Sequence, residues 1–160
     1  MTTIAVNAHT GEMAYDDGWS DEDVRGAMKK VFRIDGDLYG FAGTVGMMRK
    51  FREWVKDGMA EGESPKLRGE DNVIIMVLRG KKVYTWTETD GLCEEENKLF
   101  AIGTGACAAR GAFLAGASIR KAVDIACQID AQSSGRTRVM KLNMKPKVNR
   151  AQRAPNEETI

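Results

Sequence analysis

MTTIAVNAHTGEMAYDDGWS, residues 1–20, decides how the rest of the chain is read. Thr2 to Asn7 is β-rich and alternates, His9-Thr10-Gly11 has turn chemistry, and Glu12 to Tyr15 supplies a returning strand. A strand starting at the second residue gives its threonines two readings. Thr2 and Thr3 are ordinary β-branched strand formers, or Thr2 becomes a terminal nucleophile once Met1 is removed.

Further hairpins and grouped helices follow. Val31–Ile34 and Leu38–Ala42 flank Asp35-Gly36-Asp37, a strong turn signal. Between the first two hairpins, Ser20 to Met28 reads as a short helix capped by Ser20. Val45, Met48, Phe51 and Val55 share one helical face, with Trp54 beside them and Gly58 as the stop. Residues 59–71 carry Gly, Pro and charge and read as a loop. A third hairpin runs from Asn72 to Glu88 around Gly80-Lys81, and Leu99–Ile102 is a short buried strand. A small-residue helix from Gly105 to Ala115 and a second helix capped by Ser118 come next, then a strand from Thr137 to Met144. Four strands, a helix, three strands, two helices and a strand fit neither βαβ alternation nor an all-β pattern. The expected class is α+β, with two antiparallel sheets and helices outside them.

The chain has 160 residues and a formal net charge of +1, so one domain is expected, with no general attraction to nucleic acid or membrane. Residues 136–160 hold seven Lys or Arg against two Glu. The expected division is therefore a domain over residues 1–144 and a basic, disordered tail over 145–160. A steep salt dependence arising in that tail would mark the remote nucleic-acid-binding alternative. No apolar run approaches the roughly 20 residues that span a bilayer, and the start lacks the regions of a signal peptide. Three widely spaced cysteines, Cys93, Cys107 and Cys127, argue against disulfide frameworks and zinc sites, with Cys107 and Cys127 expected as buried structural thiols. The chain reads as cytoplasmic.

Familiar catalytic sets are scarce. His9 is the only histidine and sits in a turn, which disfavours Ser-His-Asp and Cys-His chemistry. The Gly-x-Gly of GTGAC (residues 103–107) lacks the context of a nucleotide site. Asp16-Asp17 is either a carboxylate pair or a turn. One mechanism needs no histidine: an N-terminal threonine supplies its hydroxyl as nucleophile and its α-amine as base. The free amine titrates near 7.7–8.0, and a neighbouring lysine lowers it toward the pH where a general base works best.

Six segments occur in order: Thr2-Thr3-Ile4, AYDDGWS (14–20), MKKVFR (28–33), GFAG (40–43), AIGTG (101–105) and DAQSSG (130–135). The ordered set resembles the proteasome β-type subunits, and most closely the HslV-like peptidases, over residues 2–142. The resemblance implies a four-layer α-β-β-α sandwich of the N-terminal nucleophile hydrolase type. It implies Thr2 as nucleophile, Asp16 as the acid holding a lysine, Lys30 as that lysine, and Gly43 as the oxyanion-hole amide. Thr104 takes the place of a serine that bonds the terminal amine, and Asp130 and Ser133 match the supporting acid and hydroxyl. Trp19, Met28 and Val45 are candidates for the walls of the pocket that receives the substrate side chain. In the family, residues 20–28 correspond to a loop beside the active site, and that reading is preferred to the helix. The family also has two long helices between the second and third hairpins, whereas this chain has room for one. An outer helix is therefore missing, which bears on ring size and stacking.

The resemblance implies a threonine peptidase acting on peptide or unfolded-protein substrates, a homo-oligomeric ring, an AAA+ ATPase as a possible partner, and no cofactor or metal. Two alternatives remain open: an amidohydrolase of small amides using the same nucleophile, and a catalytically silent scaffold subunit that retains Met1.

Overall fold

The computed structural model describes residues 2–21 and 23–143. The basic tail and the end of the expected 1–144 domain lie outside these residues. In chain order the elements are β1 (Thr3–Asn7), β2 (Glu12–Asp16), β3 (Gly18–Asp21), β4 (Val24–Ala27), β5 (Val31–Ile34) and β6 (Asp37–Gly43), then helix α1 (Val45–Lys56). They continue with β7 (Val73–Arg79), β8 (Lys82–Thr87), β9 (Gly91–Glu95), β10 (Leu99–Gly103), α2 (Ala106–Leu114), α3 (Ile119–Ile129) and β11 (Thr137–Lys141).

Two antiparallel sheets form the centre. One has the order β10-β1-β2-β11 and the other β5-β6-β7-β8-β9. Their facing sides are apolar: Ile4, Val6 and Met13 from the first meet Leu38, Met76 and Leu78 from the second, and all six are fully buried. Each such side chain contributes about 1.5–3 kcal/mol on leaving water. The α1 helix covers the outer face of the five-stranded sheet through Met47, Met48, Phe51, Trp54 and Val55. Phe51, Trp54 and Trp86 form an aromatic cluster there, with ring centroids 5.0–5.8 Å apart. On the opposite side, α2 and α3 lie on the four-stranded sheet through Ala109, Ala112, Ala122 and Ala126, against Ala5 and Ala14. Small side chains on both surfaces let helix and sheet approach closely. The four layers are therefore α2/α3, sheet, sheet, α1, as expected. No helix forms between α1 and β7, so the outer face carries α1 alone among the described residues.

Several expectations change. The described part of residues 20–28 forms neither a helix nor an open loop but much of a two-stranded ribbon, with Trp19 opposite Gly26 and Ser20 opposite Arg25. The Trp19 ring lies over Gly26, where an added Cβ would meet its Nε1 at 2.5 Å. An aromatic paired with a glycine is a strand device, and it overrides the acidic run that resembles a helix start. The β9 strand was not expected: it is an edge strand with Cys93 and Glu94 exposed, so it lacks an apolar face to reveal it. Asp35 and Gly36 form the expected tight turn, both at positive φ (51° and 86°). Val45 is 42 % exposed and leaves the buried face of α1. Cys107 is exposed and Cys127 only half-buried, which corrects the expectation of two buried thiols.

Candidate active site

Pairing of β1 with β2 sets Ile4 opposite Tyr15, which brings the end of β2 to the start of β1. Asp16 closes β2 and is fully buried. Its Oδ1 accepts from the Thr3 amide at 2.6 Å and from the Thr2 hydroxyl at 3.2 Å. Its Oδ2 accepts from Lys30 Nζ at 3.0 Å and from the Ser134 amide at 3.1 Å. Lys30 lies just before β5 and is 2 % exposed. Its ammonium also donates to the Gly18 carbonyl at 2.6 Å. Burial pushes the Lys30 amine below its ordinary value, against the upward pull of Asp16. The ammonium is thus easier to deprotonate than a surface lysine, while the Asp16 carboxylate and the Gly18 carbonyl help to fix its position.

A second network adjoins the first. Thr3 and Ser133 hydroxyls are 2.7 Å apart, and Ser133 donates to Asp130 Oδ2 at 2.6 Å. Thr104 donates to the same oxygen at 2.5 Å, and its hydroxyl is 3.5 Å from the Thr2 carbonyl. Burial alone would raise the Asp130 carboxyl, but hydrogen bonds from Ser133, Thr104 and the Gln132 amide outweigh it and hold the group below the usual aspartate range. Asp130 is therefore an anion at neutral pH. Two glycines permit this closeness. A Cβ at Gly103 (φ +93°) would lie 2.0 Å from the Thr2 carbonyl oxygen, and one at Gly105 would lie 1.9 Å from Thr3 Oγ1.

The geometry thus brings Thr2, Asp16, Lys30, Thr104, Asp130 and Ser133 into one connected cluster around the start of β1. Gly43 ends β6, with φ +141°, and an added Cβ would lie 2.0 Å from the Asn72 carbonyl oxygen, so the position admits only glycine. Thr44 and Val45 follow it directly into α1. Beside Lys30 opens a cavity of about 250 Å³, whose lining includes Met28, Phe41, Val45 and Met48. Met28 and Val45 were expected there. Trp19 is not among the lining residues, since its ring is engaged with Gly26 in the ribbon.

Two participants were not anticipated as site residues. Thr3 joins the two networks through its amide and hydroxyl, and the Ser134 amide completes the shell around Asp16. Only the alternation of β1, which turns Thr2 and Thr3 to opposite sides, hints at the first. Asp17 points away from Asp16: its Oδ1 accepts from the Arg136 amide at 2.7 Å and its Oδ2 from Arg138 Nε at 2.8 Å. The adjacent acids are therefore two separate anchors rather than a carboxylate pair. No group of three metal-ligating side chains occurs among the described residues, and none of their helices is long and apolar enough to cross a membrane. Burial and the nearby Asp16 carboxylate push the Cys127 thiol up to about 11, which makes it a poor nucleophile.

A mixed four-layer sandwich with a buried Lys-Asp pair at its first strand defines a class. The fold is that of the proteasome β-type and HslV-like proteins. Eukaryotic HslV from Trypanosoma brucei superposes with a TM-score of 0.65 at 21 % identity, covering 87 % of this chain and 98 % of that one. Thiobacillus denitrificans BPH in complex with epoxomicin gives a TM-score of 0.62 at 17 % identity, covering 88 % and 99 %. No protein-family model matches the sequence, and no curated protein matches it significantly.

Proposed function

We propose that the chain is a cytoplasmic threonine peptidase whose nucleophile, Thr2, is freed by removal of Met1. The observation that carries this reading is the buried Lys30–Asp16 pair within hydrogen-bond reach of the Thr2 hydroxyl. A cation held out of water near a terminal amine disfavours protonation of that amine and suits it to act as a base near neutral pH. Thr2 Oγ attacks the peptide carbonyl carbon while its proton passes to the α-amine. The oxygen of the tetrahedral intermediate accepts from the Gly43 amide. Collapse expels the leaving amine, which takes the proton, and leaves a threonine ester. Water, deprotonated by the same α-amine, hydrolyses the ester and restores Thr2. Asp130, Ser133 and Thr104 position the start of β1 and receive hydrogen bonds from the amine once it is exposed. The likeness in fold supports a homo-oligomeric ring that acts on peptide or unfolded-protein substrates, and an AAA+ ATPase is the candidate partner of such a ring.

The test is tandem mass spectrometry of the N-terminal peptide after treatment with epoxomicin, a peptide epoxyketone that closes a ring with both the hydroxyl and the amine of a terminal threonine. An adduct on Thr2 with Met1 gone is the expected result. An unlabelled peptide still starting at Met1 overturns the reading in favour of a silent scaffold. A free but unlabelled Thr2 overturns peptide cleavage in favour of a small-amide hydrolase.

A further inference from the structure

The cavity beside Lys30 is built from three segments: residues 28–32, Phe41 of β6, and α1. Residues 28–32 supply Met28, Lys29 and Phe32, and the α1 face at i, i+3, i+4 and i+7 supplies Val45, Met48, Arg49 and Arg52. Its walls are apolar and its rim is cationic. The Arg52 guanidinium lies 4.7 Å from the Phe32 ring centroid, and Lys29 Nζ lies 5.3 Å from it. Among the described residues, no carboxylate lines the cavity. Glu53 touches Arg52 at 3.4 Å but is shared with Lys56 at 3.1 Å. Lys30 spends its charge on Asp16, so the field at the rim comes from Lys29, Arg49 and Arg52. Lys29 and Arg52 pack on the Phe32 ring, Arg52 also reaches the exposed Glu53, and an incoming anion would add a counter-charge to this cationic rim.

We infer that this cavity selects an acidic substrate side chain at the residue whose carbonyl is attacked, with Arg49 and Arg52 as its specificity residues. The inference rests on the peptidase reading above. The aliphatic stem of the side chain lies along Met28, Val45 and Met48, and its carboxylate meets the guanidinium groups, whose fork suits a carboxylate. The same charges repel lysine and arginine side chains, so selection acts through rejection as well as attraction.

Fluorogenic peptides that differ only at that residue (Glu, Asp, Leu, Phe, Arg) test the assignment on the processed protein. Hydrogen bonds to a charged partner predict kcat/KM for the acidic peptides about tenfold or more above that for Leu. The gap narrows as salt rises, because the rim charges are exposed and screened. Arg49→Glu with Arg52→Glu reverses the order in favour of Arg, and Arg49→Gln with Arg52→Gln removes the preference without adding charge. Turnover that favours Leu or Phe, or an acidic preference untouched by salt and by both variant pairs, overturns the inference and leaves the peptidase reading standing. Cleavage of none of the peptides overturns that reading, and the inference with it. The salt series uses the unaltered protein, so it decides even if a variant fails to fold.

Discussion

Asp16 offers two oxygens and holds four donors: the Thr2 hydroxyl, the Thr3 amide, Lys30 and the Ser134 amide. A carboxylate so engaged is a positioning device, and removing one partner should show it. Lys30→Met leaves the buried Asp16 charge without its cation and should cost about 3–5 kcal/mol in urea denaturation. Adding Asp16→Asn should restore much of that stability while peptide turnover stays below about one hundredth of the parent, since the cation is still missing. Recovery of activity in the double variant would remove Lys30 from the mechanism. The pH profile gives a second residue-scale expectation. If the terminal amine of Thr2 is the base and Lys30 lowers it, kcat/KM rises through an apparent pKa below the ordinary 7.7–8.0 of such amines. A limb at or above that range would mean that the lysine does not act on the amine.

At the scale of elements, the site depends on where strands end. Gly103 closes β10 beside Thr2, and the β1–β10 register pairs it with Thr3. Gly103→Ala combines positive-φ strain with a clash against the Thr2 carbonyl, so it should cost at least about 1–2 kcal/mol and displace the nucleophile. The check is a thermal melt alongside epoxomicin labelling: lost labelling in a protein that still melts cooperatively is the expected pair. Asp17 ties the end of β2 to the segment entering β11. Burial would raise its carboxyl, but the Arg136 amide and the Arg138 guanidinium hold it below the ordinary 3.8. The unfolded chain therefore takes up this proton at higher pH than the folded one. The stability it gives is complete above 3.8 and is lost as pH falls through the lower folded value. Asp17→Asn should lower Tm at neutral pH and flatten its fall below about pH 4. An unchanged acid limb would locate the acid sensitivity elsewhere.

Among the described residues, the molecule keeps the four layers while carrying α1 alone on one outer face. Trp54, Trp86, Tyr39 and Leu92 line a groove under the 57–64 segment on that face, and Leu114 and Ile129 are exposed on the opposite side, at 92 % and 69 %. Leu92 (44 %) and Val45 (42 %) are exposed on the α1 side as Leu114 and Ile129 are on the other, and exposed apolar side chains on both outer layers suit a protein that associates with its own copies. Native mass spectrometry should give a closed multiple of the 17.6 kDa protomer. A strict monomer would argue against a confined chamber and for an open site acting on small amides.

The sequence by itself determined the alternation of β1 and β2, the Asp-Gly turn, the apolar face of α1 and the Ser118 cap, because these depend on local period and local hydrogen bonds. Its ordered short segments also named the cluster of Thr2, Asp16, Lys30, Thr104, Asp130 and Ser133 before any distance was known. Tertiary structure alone decided the rest. The β3–β4 ribbon overrides a helix-like acidic run because Trp19 gains a glycine to cover, and β9 exists because β8 offers it a ladder of hydrogen bonds. The Thr3 hydroxyl meets Ser133 and the Ser134 amide meets Asp16 across 130 and 118 residues of chain. Local sequence cannot encode such contacts, because they form only once the segment between α3 and β11 folds back against the ends of β1 and β2.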